Sequence, residues 1–331
     1  NYLDFYSTDG SIFQIRPKAI FYPRDTEDVQ NAVKFLHSEA SEGRVLPLIP
    51  RGFGTDQGGG PLGKGLIIDF THHMNQILEI GEDFVRVQPG ARYGEVQKLL
   101  KAQGRYIPSY PASIELCSIG GAVANNSAGE KTVKYGSTRK YVENLKVVLT
   151  NGDLIETSPL DGHGVGVKKR VGNFEAEIYE RLDDLLVSNW TAIKEAKPHV
   201  SKNSAGYALW DVERYGKFDL AQILTGSQGT LGIVTEIILR TVPVPKKTSL
   251  IVGYFRDLHS SGEAVAKILH LKPSALEVVD KNLLTMVNER KPEQLKGLLP
   301  EEMPAIVLLI EFDDEQTTIR EKKVRATKTI L

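Results

Sequence analysis

Apolar residues first recur at helical spacing in "PRDTEDVQNAVKFLHSEASEG", where Val29, Ala32, Val33 and Leu36 fall at i, i+3, i+4 and i+7. Asp25 or Thr26 is placed to cap that helix, Glu27 and Asp28 suit the positive end of its dipole, and Gly43 suits its stop. Short β-type runs follow in "VLPLI", "GLIIDF" and the alternating "DFVRVQPG" around Val85 and Val87. "RYGEVQKLLKAQG" then sets Tyr93, Val96 and Leu100 on one helical side and ends at Gly104. Strands and helices intermingle, which predicts an α+β or α/β domain rather than a sandwich or a bundle.

Further on, "ENLKVVLTNGDLIET" alternates on both sides of Asn151-Gly152, a dipeptide suited to the positive φ of a type I′ turn, and predicts a hairpin. "YERLDDLLVSNWTAI" predicts one helix, and "GIVTEIILRTVPVP" a long strand closed by Pro243 and Pro245, which mark a boundary. Beyond it, "TSLIVGYF", "SSGEAVAKILHL", "SALEVVD", "AIVLLIEFDD" and "TTIREKKVRATKTIL" predict an antiparallel sheet covered by helices. The last helix has no stop signal, so a piece of a longer protein is expected. No period of about 20 to 50 residues repeats, which argues against a solenoid or propeller.

Composition narrows the partners. At 331 residues, 41% hydrophobic and 25% charged, the chain is long enough for two or three ordinary globular domains. A formal net charge of −1 offers no attraction to nucleic acid or anionic lipid, so a small molecule is the expected partner. The single cysteine, Cys117, allows no internal disulfide and fits a reducing, cytoplasmic setting. The aliphatic run "AIVLLI", Ala305 to Ile310, is too short to cross a bilayer, so no transmembrane segment is expected. Because the chain starts at Asn1, a leader is left open.

Candidate chemistry begins in "RGFGTDQGGG", Arg51 to Gly60, with five glycines in ten residues. Such loops bring backbone N–H groups close to phosphate. "GGGPLGKG" fits the phosphate-loop spacing, but Gly65 stands where that motif needs Ser or Thr, and a strand-like run follows instead of a helix. Gly52 and Gly54 give only part of a dinucleotide fingerprint, with no helix starting there. A glycine-rich surface turn is the plain alternative. A second loop rich in small residues, "PASIELCSIGGAVANNSAGEKTVKYG", and a third, "GSQGTLGIVTE", shift the weight towards one large ligand held by several loops.

These three stretches in order resemble the FAD-binding domain of the vanillyl-alcohol oxidase and para-cresol methylhydroxylase (PCMH) superfamily. Within it the likeness is to FAD-linked 2-hydroxy-acid dehydrogenases: the flavin-binding component of glycolate oxidase, D-lactate dehydrogenase and D-2-hydroxyglutarate dehydrogenase. It runs from Tyr6 to Val242, with an echo of the cap domain in "SALEVVD", and the opening "YSTDGSIFQIRPKAIFYPRDTEDV" resembles members fused to an iron–sulfur region. The implied fold is α+β: a two-subdomain PCMH-type FAD-binding domain over residues 1–245, then part of an α+β cap or substrate domain over 246–331.

The resemblance also implies site residues. Arg51, Gly52, Phe53, Gly54, Thr55 and Asp56 match the pyrophosphate loop. Pro111, Ser113, Cys117, Ser118, Gly120 and Gly121 match the stretch along pyrophosphate, ribose and flavin, with Asn125, Ser127, Gly129 and Tyr135 beside it. Turn chemistry is the alternative for Asn125 and Ser127, and a buried inert thiol for Cys117. Gln228, Gly229 and Ile233 match the third loop near the adenosine half; Gln228 stands where the family usually has Glu, keeping an acceptor oxygen but no charge. Lys202 and Asn203 in "SKNSAGYAL" match a segment facing flavin or an anionic substrate, or else are a solvated lysine beside a turn asparagine.

The implied activity is oxidation of a 2-hydroxy acid by hydride transfer to non-covalent FAD, since Gly52 to Gly60 holds no histidine for attachment. His72 and His73 are read as surface residues, and His163 in "DGHGVGV" as part of a flexible surface loop. The resemblance implies a divalent metal held by late histidines and a glutamate; His259 and His270 do not match that motif, so metal, iron–sulfur cluster and catalytic base are expected only beyond Leu331, or else the protein has lost the catalytic half. An electron acceptor or iron–sulfur region is the implied partner, at the membrane periphery if the acceptor lies there. The rivals are a non-catalytic flavin-binding electron-transfer subunit and another superfamily member, such as an alditol or aldonolactone oxidase or an alkyl-ether lipid synthase.

Overall fold

The computed structural model describes residues 2–331 and divides into two compact units. One comprises residues up to Ala128 together with Ser137–Pro243, and the other Gly129–Gly136 with Val244–Leu331. Sequence pattern alone has 129–136 in the first domain.

In the first unit, strands Ala19–Phe21 and Leu48–Arg51 flank Leu66–Asp69, all parallel. The connection from the first to the second is the helix Thr26–Ser41, as parallel neighbours require a crossover. Asp25 caps it by accepting from the Asp28 N–H at 2.9 Å. Its end is a left-handed Gly43, with the Arg44 N–H returning to the Glu39 carbonyl. Val29 and Val33 bury against Ile68, Phe70, Met74, Val148 and Ile233. Seven such residues join the two larger sheets of the unit into one core.

The second sheet is antiparallel, in the order Ile77–Ile80, Phe84–Val87, Ile233–Arg240, Val142–Val148, Leu154–Glu156. Central placement of Ile233–Arg240 explains its strict alternation: Ile233, Thr235, Ile237 and Leu239 are buried. The hairpin between Val148 and Leu154 forms, but its turn is not type I′. Only Gly152 takes a positive φ (85°), and the Gly152 N–H bonds the Leu149 carbonyl, which is a type I turn followed by one left-handed glycine.

Three other expectations are corrected. "DGHGVGV" is not a loop but the start of a helix, Gly162–Lys169, because Asp161 caps it through the Gly164 N–H and Val165 buries. His163 is exposed on its first turn. The helix expected through "YERLDDLLVSNWTAI" is two, Phe174–Ser188 and Trp190–Glu195, split where Asn189 leaves helical geometry and bonds the Leu185 carbonyl through its side chain. "SIGGAVAN" carries the helix Ile119–Ala124 inside what reads as loop.

The second unit is a three-stranded antiparallel sheet with Ile306–Phe312 between Ser249–Phe255 and Ala275–Asp280. "AIVLLI" thus is a buried central strand; Ile306, Leu308, Ile310 and Phe312 pack with Ile251, Ala264 and Ile268. Helices Leu258–Leu269 and Thr317–Ile330 contact this sheet, and a helix that periodicity did not reveal, Lys281–Arg290, follows Asp280, which caps it. Among the described residues no helix is long and apolar enough to cross a membrane.

Candidate functional site

Three backbone segments converge in the first unit around a cavity of about 380 Å³, within the range of small-molecule and cofactor sites. Strand Leu48–Arg51 delivers the first loop, the helix Ile119–Ala124 the second, and the start of strand Ile233–Arg240 the third. Arg51 to Asp56, Pro111, Ser113, Cys117, Ser118, Gly120, Gly121, Asn125, Ser127, Lys202, Gln228 and Gly229 all line it. Four other sequence candidates lie elsewhere. Gly129 and Tyr135 belong to the second unit, where the Tyr135 hydroxyl donates to Asp313 Oδ2 at 2.6 Å. Ile233 lines a separate apolar slot of about 220 Å³ with Val33, Leu36 and Leu48. Asn203 turns its Oδ1 to the Ala205 N–H at 3.1 Å rather than to the cavity.

The first loop is held open by its neighbours. Arg51, buried at 6% exposure, sends its guanidinium away to the carbonyls of Tyr6 (3.4 Å) and Thr8 (2.8 Å) and over the Tyr6 ring. Burial lowers its pKa, opposed by the charges of Asp69 and Asp9. Tyr6 donates to Asp69 Oδ2 at 2.7 Å, and its own pKa is raised by burial and by its Tyr22 and Asp69 contacts. The Gly10 N–H bonds the Gly54 carbonyl. With the carbonyls thus engaged, the N–H groups of Gly52, Phe53, Gly54, Thr55 and Asp56 donate to no acceptor among the described residues. Five successive donors with no partner among the described residues, in a loop that lines the cavity, suit an anion.

Glycine is demanded here by close approach as well as by φ. A Cβ on Gly52 would stand 2.2 Å from Ser118 Oγ, the group that caps the Ile119–Ala124 helix by accepting from the Gly121 N–H. Gly54 has φ +67°, and its Cβ would lie 2.4 Å from Arg51 Nη2; Gly120 would meet Pro89 at 2.6 Å. Gly229, φ +78°, faces the Pro50 ring at 2.3 Å.

Side chains then tie the loops together. Asp56 Oδ1 accepts from Asn125 Nδ2, and Asn125 Oδ1 accepts from Gln228 Nε2, both at 3.2 Å. Asn126, fully buried in a left-handed conformation, accepts from the Arg139 N–H at 2.9 Å and donates to the Asn203 carbonyl at 3.2 Å. Arg139 in turn donates to the Thr225 carbonyl at 2.7 Å under the third loop. Asn126 and Arg139 are structural anchors that motif reading missed; the readable signal is an Asn just past a short helix, a favoured left-handed position. Cys117 is 4% exposed, and burial pushes its thiol up to about 11, so it stays protonated and unreactive at neutral pH. Among the described residues no histidine or tyrosine lines the cavity. Lys202 is exposed at its edge.

The chain, over residues 17–158, matches the family described as FAD binding domain. It is 28% identical to D-2-hydroxyglutarate dehydrogenase of Escherichia coli (strain K12), over 97% of this chain and 32% of that protein. It is 33% identical to glycolate oxidase subunit GlcD of Bacillus subtilis (strain 168), over 95% of this chain and 55% of that one. The chain thus spans about a third to a half of these relatives' lengths. A solved structure of alkyldihydroxyacetonephosphate synthase superposes with a TM-score of 0.63 at 20% identity, over 94% of this chain and 50% of that one. That likeness is one of fold and gives the PCMH-type FAD-binding architecture.

Proposed function

We propose that the cavity binds FAD without a covalent link and serves oxidation of a 2-hydroxy acid of the D-lactate, glycolate or D-2-hydroxyglutarate kind. The observation that carries this reading is the set of five unpaired N–H groups from Gly52 to Asp56. They would donate to the pyrophosphate of FAD, and the glycines would let it approach. Pro111, Ser113, Ser118, Gly120, Gly121, Asn125 and Ser127 would border the ribose and flavin. Gln228 and Gly229 would border the adenosine half, with Ile233 supporting the loop from behind. When bound, FAD supplies a two-electron acceptor for the hydride on the hydroxyl-bearing carbon. The apolar lining residues Phe70, Pro89 and Val234 would limit its contact with water on their side. Lys202 at the cavity edge offers a cation for a substrate carboxylate. The names of the relatives support the acid class.

Non-covalent attachment is supported by a lining whose one thiol is buried and protonated and which, among the described residues, has no histidine or tyrosine. Among the described residues no three His, Cys, Asp or Glu side chains converge as metal ligands, so none is assigned to a metal or an iron–sulfur cluster. Turnover further requires an acceptor for the two electrons, and the setting proposed is cytoplasmic.

The test has two stages. FAD is titrated into apoprotein by flavin fluorescence, and the complex is acid-denatured and filtered; colour should pass the filter. The complex is then mixed anaerobically with each acid. Loss of oxidised-flavin absorbance identifies the substrate. Since the catalytic base is expected beyond Leu331, the same mixing is done with a longer protein that contains this chain. There, flavin binding without bleaching by any acid would favour an electron-transfer subunit, and no flavin binding by either would end the proposal.

A further inference from the structure

Asp56, Asn125 and Gln228 come from three different loops, separated by 69 and 103 positions along the chain, and form one hydrogen-bond chain across the cavity. A carboxylate only accepts. Asp56 therefore requires Asn125 to present its NH₂, which leaves Asn125 Oδ1 for the next partner. That partner must donate, and the Gln228 amide does so. The other Asp56 oxygen is also committed, accepting from the Gly60 N–H at 2.7 Å. The direction of the whole chain is thus set by one charge in the first loop.

Gln228 is held in place at some cost. It adopts φ +53°, an uncommon left-handed conformation for a residue with a side chain. Its N–H is bound to the Ala124 carbonyl at 3.1 Å, and the neighbouring Gly226 N–H to the Val123 carbonyl at 2.9 Å. The third loop is therefore fastened to the end of the Ile119–Ala124 helix, one residue from Asn125.

We infer that Gln228 is a positioning residue: it terminates a one-way hydrogen-bond relay that sets the relative placement of the three loops around the cofactor cavity, and its identity is dictated by the acid at Asp56. The inference rests on the FAD reading for its main readout. Glu at 228 would put acceptor against acceptor at one link of the relay, and the chain could close only by taking up a proton. Asn at 56 reverses the requirement. Its amide oxygen would keep the Gly60 N–H, its NH₂ would turn to Asn125 Oδ1, and Asn125 NH₂ would turn to position 228, where any acceptor, a Glu carboxylate or the oxygen of a turned-over Gln amide, ends the chain. Asp56→Asn with Gln228→Glu also restores the net charge of the cluster.

The experiment is a four-member cycle of wild type, Gln228→Glu, Asp56→Asn and the double variant. FAD affinity is read by fluorescence titration across pH, and apoprotein stability by thermal unfolding. Gln228→Glu should weaken FAD binding up to about tenfold at neutral pH, the upper scale of one lost hydrogen bond between neutral groups, and regain it as pH falls and the chain takes up a proton. The double variant should return to within about threefold of wild type at neutral pH. A recovery of the same sign is expected in the apoprotein melting temperature. It will be smaller, because Gln228 is solvent-exposed when the cavity is open. Losses that simply multiply in the double variant, with no recovery in either readout and no pH dependence in Gln228→Glu, would overturn the relay. Failure of wild type to bind FAD would overturn the functional reading instead, and the apoprotein cycle would still decide the relay.

Discussion

Gly229→Ala isolates how the third loop meets the strand that feeds the first. Two separable costs arise. The backbone is left-handed at φ +78°, which an alanine adopts at about 1–2 kcal/mol. Its new Cβ would also stand 2.3 Å from Pro50 Cγ and 2.9 Å from Cδ. Pro50 cannot rotate away, since its ring is closed and strand Leu48–Arg51 pairs with Leu66–Asp69. Relief must come from loop movement, at about 1–3 kcal/mol for an overpacked site. Together the substitution should cost roughly 2–5 kcal/mol. Pro50→Ala removes Cγ and Cδ and leaves a Cβ 3.7 Å away, an ordinary contact. Alone it should cost up to about 1 kcal/mol through the freer unfolded chain. The double variant should therefore be more stable than Gly229→Ala alone, keeping the backbone cost and losing the clash. Urea unfolding followed by circular dichroism measures all four stabilities, and flavin titration shows whether the cavity follows. A Gly229→Ala variant within about 0.5 kcal/mol of wild type, or a double variant no better than that single one, would refute the reasoning.

Gly54→Val should abolish FAD binding while circular dichroism shows most secondary structure intact, because φ +67° and Arg51 Nη2 at 2.4 Å both exclude a side chain; normal flavin affinity would place the anion cradle elsewhere. Asp219 has its pKa raised by burial, partly opposed by hydrogen bonds from Gln222 and Ala221. Its contribution to stability is full below its ordinary value of 3.8 and is lost as pH rises through the higher folded-state value. Asp219→Asn should flatten that part of the stability–pH curve, and an unchanged slope would contradict the shift. Cys117 should resist a thiol reagent at pH near 8 in the native protein and react on unfolding in urea, given burial and a pKa of about 11; rapid native labelling would count against its placement.

Much of the scaffold is legible along the chain because it is decided within a turn or two of sequence. Asp25 capping its helix, Gly43 ending it, and the alternation of Ile233–Arg240 each depend on neighbours a few residues away. The same holds for Gly54, whose left-handed φ and Arg51 contact are local, whereas Gly52 is demanded by Ser118 of the second loop. Where local signals competed, reading failed: glycines in "DGHGVGV" and "SIGGAVAN" suggested loops, yet the caps Asp161 and Ser118 hold helices there. The turn at Gly152 shows the same, since one left-handed residue, Gly152, sufficed where a type I′ turn would have made Asn151 left-handed too.

What the sequence by itself determined was which segments fold as strands and helices, and which backbone positions tolerate no side chain. Tertiary structure alone decided which loops meet. The free N–H groups from Gly52 to Asp56 exist because the Tyr6–Gly10 segment takes up Arg51 and the Gly54 carbonyl, and the Asp56–Asn125–Gln228 chain exists because two sheets and a six-residue helix bring their ends together. The physical reason is range. Periodicity and capping act over about four residues, whereas a hydrogen bond between positions 125 and 228 has no signature in the chain until the core has closed around it.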